Sequence, residues 1–368
     1  MAPASPPCRP LLVGYYGEHN LGDDALLTVL LTQLPGPCTP TVTARDQEEV
    51  QRRFGVATVD RRRLQAVLAA LSRCDALVFG GGSLLQDSTS FASLLYYAAL
   101  IGAARLRHRP VLLWAQGLGP LRRRRSRLLV RALLRLASGC SWRDGQSAAL
   151  ARQLGWRPGA LQLAGAFANG GMEAGVGSDP VWSLEAPGWH GRGGPLVLCF
   201  RPTRQLQGPA WRPWLQALEQ LAPDREILWL PFHRHQDRGL LQHLLAEGLL
   251  GEALAARSRE LAPQRPEDVL AVCAGSGLVL AMRLHGLILA AVSGAPVAAL
   301  SYDPKVAAAA RALGCPLAEL DAPPPPAVLL SQWQACLDQP PAAQRLAELR
   351  DAAAVHRQLL AATFTPAS

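Results

Sequence analysis

Residues 11–34 read LLVGYYGEHNLGDDALLTVLLTQL, and the order of residue types in this stretch decides the fold class. Leu11–Tyr16 is apolar on nearly every residue, which predicts a strand that is buried on both faces. Gly17 and Gly22 then permit a tight turn, and Asp24–Leu34 follows with the spacing of a helix. A buried strand, a glycine turn and a helix in this order indicate a parallel α/β sheet.

The same alternation continues along the chain. Further strands are predicted at Thr41–Ala44, Ala76–Phe79, Val111–Ala115, Leu196–Phe200, Glu226–Leu230, Gly277–Met282 and Pro296–Leu300. Helices are predicted between and after them, including Arg61–Leu71, Phe91–Leu106, Trp211–Leu221, Gln236–Glu247 and Ala342–Ala362. We therefore expect an α/β protein with two Rossmann-like, doubly wound lobes and a ligand cleft between the carboxyl ends of their strands.

The length of 368 residues suits two such lobes. A loop rich in Gly and Pro, Ala186–Pro195, interrupts the pattern near the middle of the chain. We expect a flexible tail over residues 1–10, an N-terminal lobe over 11–184, a linker over 185–195 and a C-terminal lobe over 196–330. Helices over 331–368 are expected to pack back toward the N-terminal lobe.

Composition excludes several classes of protein. Hydrophobic residues make up 49% and charged residues 18% of the chain, which excludes general disorder. The longest apolar stretches are too short for a bilayer span or contain Gly and Pro, and the N-terminus has no apolar segment of signal-peptide length. The eight cysteines are scattered without CxxC spacing, as in buried free thiols. We therefore expect a cytoplasmic protein without a disulfide framework or a zinc site.

The net charge of +9 calls for an anionic partner to be considered. Much of the excess lies in Arg122–Arg135, where arginines alternate with leucines in the pattern of a basic amphipathic helix. This helix can be an ordinary solvated face, or it can contact anionic lipid headgroups at the inner face of a membrane. Nucleic acid is disfavoured, because no aromatic residues are interleaved with the charge.

One lysine stands among the 37 basic residues, at position 305. Arginine evidently occupies nearly every position at which any cation suffices. A compact ammonium makes a point-charge contact that a planar guanidinium cannot reproduce. The lone Lys305 is therefore a candidate for a specific ionic contact.

Loops after the first-lobe strands carry glycines and polar side chains. The first, GYYGEHNLGDDA, places Asp23 and Asp24 at the start of a helix, where they either stabilise the helix N-terminus or accept hydrogen bonds from sugar hydroxyls. The second, Val78–Asp87, reads VFGGGSLLQD, and its three glycines form a backbone cradle for a ligand. The third, WAQGLGP, offers Gln116 after another strand.

Basic residues follow strands at three further positions. Arg143 stands in WRDG, either as a surface cation with an acidic neighbour or as an anion clamp. Arg283 and His285 end the strand Gly277–Met282 in the sequence MRLHG, and Lys305 follows the next strand in SYDPK. Three cations and an imidazole in a two-lobed cleft suit a small, highly anionic substrate and a proton transfer near neutral pH.

The loop PFHRHQD, after the strand Glu226–Leu230, contains His233, His235 and Asp237. Alternating histidines occur in some metal sites, but no second ligand cluster accompanies them. We expect a polar wall of the cleft here and no bound metal.

In chain order, the segments GYYGEHNLGDDALL, FGGGSLLQDSTS, AQGLGPL, WRDGQS, SDPVW and AMRLHGLILAAVSGAPVAALSYDPKV resemble the polysaccharide pyruvyltransferase family, specifically its CsaB-like branch. The resemblance runs from about Leu11 to Gly314. It implies two Rossmann-like lobes in a GT-B-like arrangement. It also implies transfer of pyruvate from phosphoenolpyruvate (PEP) to a sugar, usually as a cyclic ketal, in cell-envelope or exopolysaccharide assembly.

The resemblance also implies roles for individual residues. Arg143, Arg283 and Lys305 match the family's PEP-contacting positions, and His285 matches its proposed general acid. Loops of the N-terminal lobe would face the acceptor, a glycan or lipid-linked sugar, through Gly17, Asn20, Gly22, Asp23, Asp24, Gly81, Gly82, Ser83, Gln86, Asp87, Gln116 and Asp179. Among these, Asp24, Asp87 and Asp179 are candidates for the base. PEP serves as a co-substrate, and no cofactor is implied.

Two other functions stay open from the sequence. A GT-B glycosyltransferase that uses a nucleotide sugar would have the same lobes and glycine loops, although no base-reading motif is evident. A basic scaffold that binds a membrane or nucleic acid through Arg122–Arg135 would leave the cleft residues without a role.

Overall fold

The computed structural model describes residues 8–88, 90–157 and 175–364. The chain divides into two compact units. The first unit consists of Met1–Glu18, Asp23–Ser183 and Arg350–Ser368, and the second consists of His19–Gly22 and Leu184–Leu349. Residues 19–22, predicted as part of the N-terminal lobe, thus belong with the second unit.

The first unit contains a six-stranded parallel sheet in the order β3-β2-β1-β4-β5-β6. Its strands are β1 (Pro10–Tyr16), β2 (Thr41–Ala44), β3 (Ala57–Asp60), β4 (Ala76–Gly80), β5 (Val111–Gln116) and β6 (Gly139–Trp142). The described helices of this part of the chain are α1 (Leu21–Gln33), α2 (Gln47–Phe54), α3 (Leu64–Leu71), α4 (Phe91–Leu106), α5 (Arg124–Leu136) and α6 (Gly145–Gln153). Strands β4 and β5 are buried at every residue, as consecutive apolar residues predict for a sheet covered on both faces.

The second unit contains another six-stranded parallel sheet, in the order β12-β11-β10-β7-β8-β9. Its strands are β7 (Leu196–Cys199), β8 (Ile227–Trp229), β9 (Ser258–Glu260), β10 (Leu278–Ala281), β11 (Val297–Ser301) and β12 (Leu317–Glu319). Counted from their own first strands, the two sheets have the same order, which is that of the Rossmann fold. The predicted α/β class with two Rossmann-like units is confirmed.

The helices of the second half of the chain are α7 (Arg212–Gln220), α8 (Leu240–Ala246), α9 (Glu252–Ala256), α10 (Pro266–Ala274), α11 (Leu284–Val292), α12 (Pro304–Leu313), α13 (Pro326–Cys336) and α14 (Ala343–Phe364). Helix α14 leaves the second unit at Arg350, because its remaining residues belong with the first unit. None of the described helices combines the length and the apolar composition that a bilayer span needs.

Some helices begin later than predicted, and some short strands were not predicted. Helix α3 begins at Leu64 and not at Arg61, because the Arg61 N–H donates to the Ala44 carbonyl at 3.0 Å and a turn precedes the helix. Helix α8 begins at Leu240 and not at Gln236, because the residues before it form a turn. The short edge strands β3, β9 and β12 escaped prediction, since edge strands are only partly buried and lack continuous apolar residues.

Two segments expected to be a tail and a linker contain residues with defined contacts in the structure. Strand β1 begins at Pro10, inside the segment expected to be a tail, whose residues 1–7 lie outside the described residues. The segment 185–195, predicted as a linker, packs on the end of α10. There the His190 N–H donates to the Ala274 carbonyl at 2.9 Å, and the Trp189 indole donates to the Ser276 carbonyl at 2.8 Å.

Candidate active site

Strands β7 and β10 are neighbours in the second sheet, and the later strands are added on either side of this pair in opposite directions. In a doubly wound sheet, the loops that follow the strands of such a pair leave a crevice where ligands bind. Phe200 and Arg201 follow β7, while Arg283 follows β10 directly before α11 begins at Leu284. Arg283 and His285, two of the predicted PEP residues, therefore lie at this crevice.

Arg283 is held in place by a buried carboxylate. Its Nε donates to Oδ2 of Asp237 at 3.0 Å, and its Nη2 donates to Oδ1 of the same side chain. The Asp237 Oδ2 also accepts the backbone N–H groups of Phe232 at 3.1 Å and His233 at 2.8 Å, and the Asp237 side chain is 0% exposed. A bidentate pair with additional hydrogen bonds fixes the plane of the guanidinium.

His285 is the second residue of α11, in a turn whose N–H groups have no partner within the helix. The segment His19–Gly22 packs against this region, since the Leu21 N–H donates to the Phe232 carbonyl at 3.0 Å. A methyl group on Gly22 would overlap Nδ1 of the His285 ring. The imidazole therefore occupies space that only a glycine at position 22 leaves open.

Lys305 is the second residue of α12, which follows β11. Its backbone N–H donates to Oδ1 of Asp303, the residue that caps this helix, at 3.0 Å. Strands β10 and β11 are parallel neighbours, so Arg283, His285 and Lys305 all lie at the same edge of the second sheet. Arg143, the fourth predicted PEP residue, belongs to the first unit.

Three histidines of the second unit, His19, His233 and His235, lie close to one another. The ring centroids of His19 and His235 are 5.5 Å apart, and those of His233 and His235 are 6.1 Å apart. Burial, and then the charge of Arg283, lowers the pKa of His233, so its ring is neutral at neutral pH. In the part of the chain that the structure describes, no group of three or more His, Cys, Asp or Glu side chains could hold a metal ion.

Arg143 is the centre of a buried cluster in the first unit. It follows β6 and donates through Nη1 to Asp179 at 3.4 Å and through Nη2 to the Ser83 hydroxyl at 3.1 Å. A methyl group on Gly117 would lie 2.8 Å from the Arg143 Nε, so this glycine makes room for the guanidinium. The structure thus brings together Ser83, Gly117, Arg143 and Asp179, from four of the segments that the sequence analysis selected.

Two of the three carboxylates considered as bases have close partners elsewhere. Asp24 pairs with Arg53 at 2.7 Å. Asp87 accepts the backbone N–H groups of Arg122 at 2.9 Å and Arg123 at 2.8 Å. Burial would raise the pKa of Asp87, but these backbone hydrogen bonds outweigh it and lower the pKa below its ordinary value. A carboxylate stabilised in its charged form is a weak base. The third candidate, Asp179, accepts from Arg143 at 3.4 Å.

Other residues expected to contact the acceptor shape the loops of the first sheet. The Gln116 Nε2 donates to the carbonyls of Phe79 at 3.2 Å, Gly81 at 3.0 Å and Trp114 at 3.2 Å, which joins the ends of β4 and β5. Gly81 and Gly82 have φ angles of 75° and 72°, in the left-handed region that glycine adopts without strain.

The remaining residues of that group lie in or beside two turns. The Gly17 carbonyl accepts the Asp46 N–H at 3.2 Å, and the Asn20 Oδ1 accepts the Gly22 N–H at 3.2 Å. Asp23 lies in the first turn of α1, and the Gln86 Oε1 accepts the Ser88 hydroxyl.

The sequence profile of the polysaccharide pyruvyl transferase family matches residues 20–304, which include the crevice of the second sheet and the Arg143 cluster. The chain belongs to the polysaccharide pyruvyl transferase family. The sequence has no significant match among curated proteins.

Solved structures similar to this pyruvyl transferase family member share its fold. HepE from Anabaena, in complex with UDP and glucose, is 14% identical, with 97% of this chain and 96% of that chain covered and a TM-score of 0.56. The UDP-GlcNAc 2-epimerase from Neisseria meningitidis bound to UDP-GlcNAc is 11% identical, with 96% and 99% covered and a TM-score of 0.57. MurG from Acinetobacter baumannii is 13% identical, with 96% and 98% covered and a TM-score of 0.52. At such identities the likeness shows the GT-B-like fold.

Two features of the crevice of this pyruvyl transferase family member are not evident from the sequence motifs: the cation Arg201, and the partners that orient Arg283. Arg201 follows β7 after Phe200, and its Nη1 donates to the Tyr302 hydroxyl at 3.1 Å. Gln236 accepts from both Arg201 and Arg283, at 3.1 Å and 3.3 Å. Ligands bind in the loops that follow the strands of a switch point. Arg201 can therefore be predicted as a site residue from the sequence, once β7 is recognised as the first strand of its sheet.

Proposed function

We propose that this protein transfers the pyruvyl group of PEP to a pair of hydroxyls on a sugar, forming a ketal, in cell-envelope or exopolysaccharide assembly, as in the CsaB-like branch. One observation carries the proposal. Arg283, oriented by the buried Asp237, lies beside His285 in the first turn of α11, at the switch point of a Rossmann-like sheet. PEP carries close to three negative charges at neutral pH, and such a site suits a small polyanion with a nearby proton donor.

In the proposed reaction, protonated His285 donates its proton to the methylene carbon of PEP. Positive charge develops on the adjacent carbon, and a sugar hydroxyl attacks that carbon. The carbon–oxygen bond to phosphate then breaks, and a second hydroxyl closes the ketal. Of the two hydroxyl protons released, one replaces the proton of His285 and the other leaves with phosphate. Arg143, Arg283 and Lys305 hold the phosphate and carboxylate and stabilise the departing phosphate.

The test is calorimetric titration of PEP into the wild type, Lys305→Arg and His285→Ala. We expect the wild type to bind PEP and Lys305→Arg to lose at least about tenfold in affinity, because a guanidinium does not reproduce the ammonium contact. Arg311→Lys, on the exposed side of the same helix α12, is the matched control and should bind PEP like the wild type.

The second candidate function is a GT-B glycosyltransferase that uses a nucleotide sugar. The likeness to HepE, solved with UDP and glucose, favours it. Titration of UDP-glucose separates the two functions. Binding of UDP-glucose without any binding of PEP, including in the presence of a candidate acceptor sugar, would overturn the pyruvyl transfer proposal.

We also propose that the enzyme works on a lipid-linked acceptor and contacts anionic lipid at the inner membrane face through Arg122–Arg135. Residues 88–143 contain eleven arginines and no acidic residue, whereas the rest of the chain has 26 basic and 28 acidic residues. Helix α5 buries Val130, Leu133 and Leu134 and leaves Leu128 67% exposed among its arginines. Exposed arginines with an apolar side chain between them suit an anionic bilayer surface.

Vesicle sedimentation tests this contact with mixtures of neutral and anionic phospholipid. Replacing Arg122–Arg125 by Gln should weaken binding to anionic vesicles at least about tenfold. Replacing four exposed arginines elsewhere (Arg212, Arg234, Arg345 and Arg350) should weaken it much less. Equal losses in both variants, or binding that survives in the first, would show that α5 is not the contact.

A further inference from the structure

A cavity of about 720 Å³ lies in the second unit, beside the crevice that holds Arg283. Its lining is rich in cationic, amide and hydroxyl side chains, including Arg201, Thr203, Arg204, Gln205, Gln207 and Tyr302. The volume falls within the range of sites for whole small-molecule ligands, roughly 300–1,000 Å³, and exceeds what three-carbon PEP occupies.

Arg201 connects this cavity to the crevice. Its Nη2 and the Nη2 of Arg283 donate to the same oxygen, Oε1 of Gln236, at 3.1 Å and 3.3 Å. Its Nη1 donates to the Tyr302 hydroxyl, and the guanidinium carbon lies 5.5 Å from the centre of that ring. The Arg201 Nε is buried, and no group within the described residues accepts its hydrogen bond.

The charges around the cavity do not balance. Arg283 has a carboxylate partner in Asp237, whereas neither Arg201 nor Arg204 has a carboxylate within 4.0 Å in the described part of the chain. Glu247, on the cavity wall, lies 3.3 Å from His243. Guanidinium groups that face a cavity without carboxylate partners are suited to an anionic group on a ligand.

We infer that this cavity binds the sugar acceptor by a phosphate or diphosphate group, through Arg201 and Arg204. This inference rests on the proposed function and specifies its acceptor class as a phosphorylated sugar. The hydroxyl of Thr203 and the amides of Gln205 and Gln207 suit the sugar hydroxyls. Pyruvyl transfer would then act on an activated sugar intermediate, before a later step removes its phosphate, and not on a finished neutral polysaccharide.

The experiment is calorimetric titration of inorganic pyrophosphate at saturating PEP, so that the PEP site is already filled. We compare the wild type with Arg201→Gln and Arg204→Gln, and use Arg212→Gln, an exposed arginine of α7, as the control. Both cavity variants should lose about tenfold or more in pyrophosphate affinity, because each removes a charge-assisted hydrogen bond. The control should bind pyrophosphate like the wild type. Glucose 1-phosphate should compete with pyrophosphate, and glucose should not.

Pyrophosphate affinity that is unchanged in both cavity variants would overturn the inference. So would a loss of PEP affinity in Arg204→Gln equal to its loss of pyrophosphate affinity, because the cavity would then be part of the PEP site. If the wild type binds pyrophosphate through both arginines but never binds PEP, the anion site stands and the proposed pyruvyl transfer fails.

Discussion

Asp237 shows how one buried carboxylate orients the guanidinium of Arg283. It is 2% exposed and receives four hydrogen bonds, two from backbone N–H groups and two from Arg283. A buried charge is tolerated only when it is paired and hydrogen-bonded, and Asp237 meets both conditions. We interpret Asp237 as a residue that positions Arg283, and in the proposed PEP site it would act on PEP through that side chain.

Asp237→Asn should lower PEP affinity about tenfold, because the neutral amide no longer forms the charged bidentate pair. The measurement is a double-mutant cycle with Arg283→Lys, in which PEP binding is titrated for both single variants and the double variant. If Asp237 acts through Arg283, the two effects are far from additive. Asp268→Asn, an exposed carboxylate at the start of α10, is the control and should bind PEP normally. Additive losses would contradict the positioning role.

Gly22→Ala should displace the His285 imidazole, because the added methyl group overlaps its Nδ1. We expect the NMR signals of the His285 ring to shift. Gly102→Ala, inside α4 with open space around it, is the control and should be neutral or stabilising by up to about 1 kcal/mol. An unchanged His285 signal in Gly22→Ala would mean that the segment His19–Gly22 does not constrain the imidazole.

At the scale of elements, Asp87 joins the loop after β4 to the residues before α5. Its two oxygens accept the N–H groups of Arg122 and Arg123, which have no helical partner because α5 begins at Arg124. The carboxylate that the sequence suggested as an acceptor contact or base thus stabilises a chain turn. Its lowered pKa is consistent with this role.

Asp87→Ala should reduce the free energy of unfolding by about 1–3 kcal/mol, because two backbone donors lose their acceptor. Urea denaturation at neutral pH measures the loss. Asp60→Ala is the control, since Asp60 accepts one backbone N–H in an exposed turn and should cost less than about 1 kcal/mol. Since the pKa of Asp87 is lowered on folding, its contribution is fully present above the ordinary carboxyl pKa and is lost as the pH falls through the folded value. Equal stability losses in the two variants would contradict this role.

At the scale of the whole molecule, the last helix adds a buried histidine to the first unit. His356 on α14 is 0% exposed, and its Nε2 donates to the Ser178 carbonyl at 2.7 Å. Its Nδ1 therefore accepts from the Ser141 hydroxyl, at 2.9 Å. Burial is the main cause that lowers the pKa of His356 to about 4.

This pKa predicts how stability depends on pH. Between about pH 6.5 and pH 4 the unfolded His356 binds a proton that the folded ring does not, so stability falls as the pH falls through this window. The contribution of His356 to that loss should be about 3 kcal/mol, and His356→Gln should lack it. Urea denaturation of both proteins at several pH values measures the difference. Parallel curves for the two proteins would contradict the prediction.

Consecutive apolar residues and glycine turns were enough to predict the class of both sheets and most of their central strands. These signals are local, because burial on two faces dictates residue type along each strand. The motifs MRLHG and SYDPK likewise placed Arg283, His285 and Lys305 after neighbouring strands. The edge strands β3, β9 and β12 were missed because they lack continuous apolar residues. The starts of α3 and α8 were missed because turn residues come before each helix.

Residue types and their spacing thus predict the Rossmann-like repeat and indicate the family, since both depend on residues that are close together along the chain. Three other features do not follow from such neighbours. They are the pairing of Asp237 with Arg283, the bridge through Gln236 to Arg201, and the placement of residues 19–22 with the second unit. Each joins residues from segments that follow different strands and are 35 positions or more apart. The first two contacts form only once the strand order of the second sheet brings the carboxyl ends of β8, β7 and β10 side by side, and that order is a property of the folded chain.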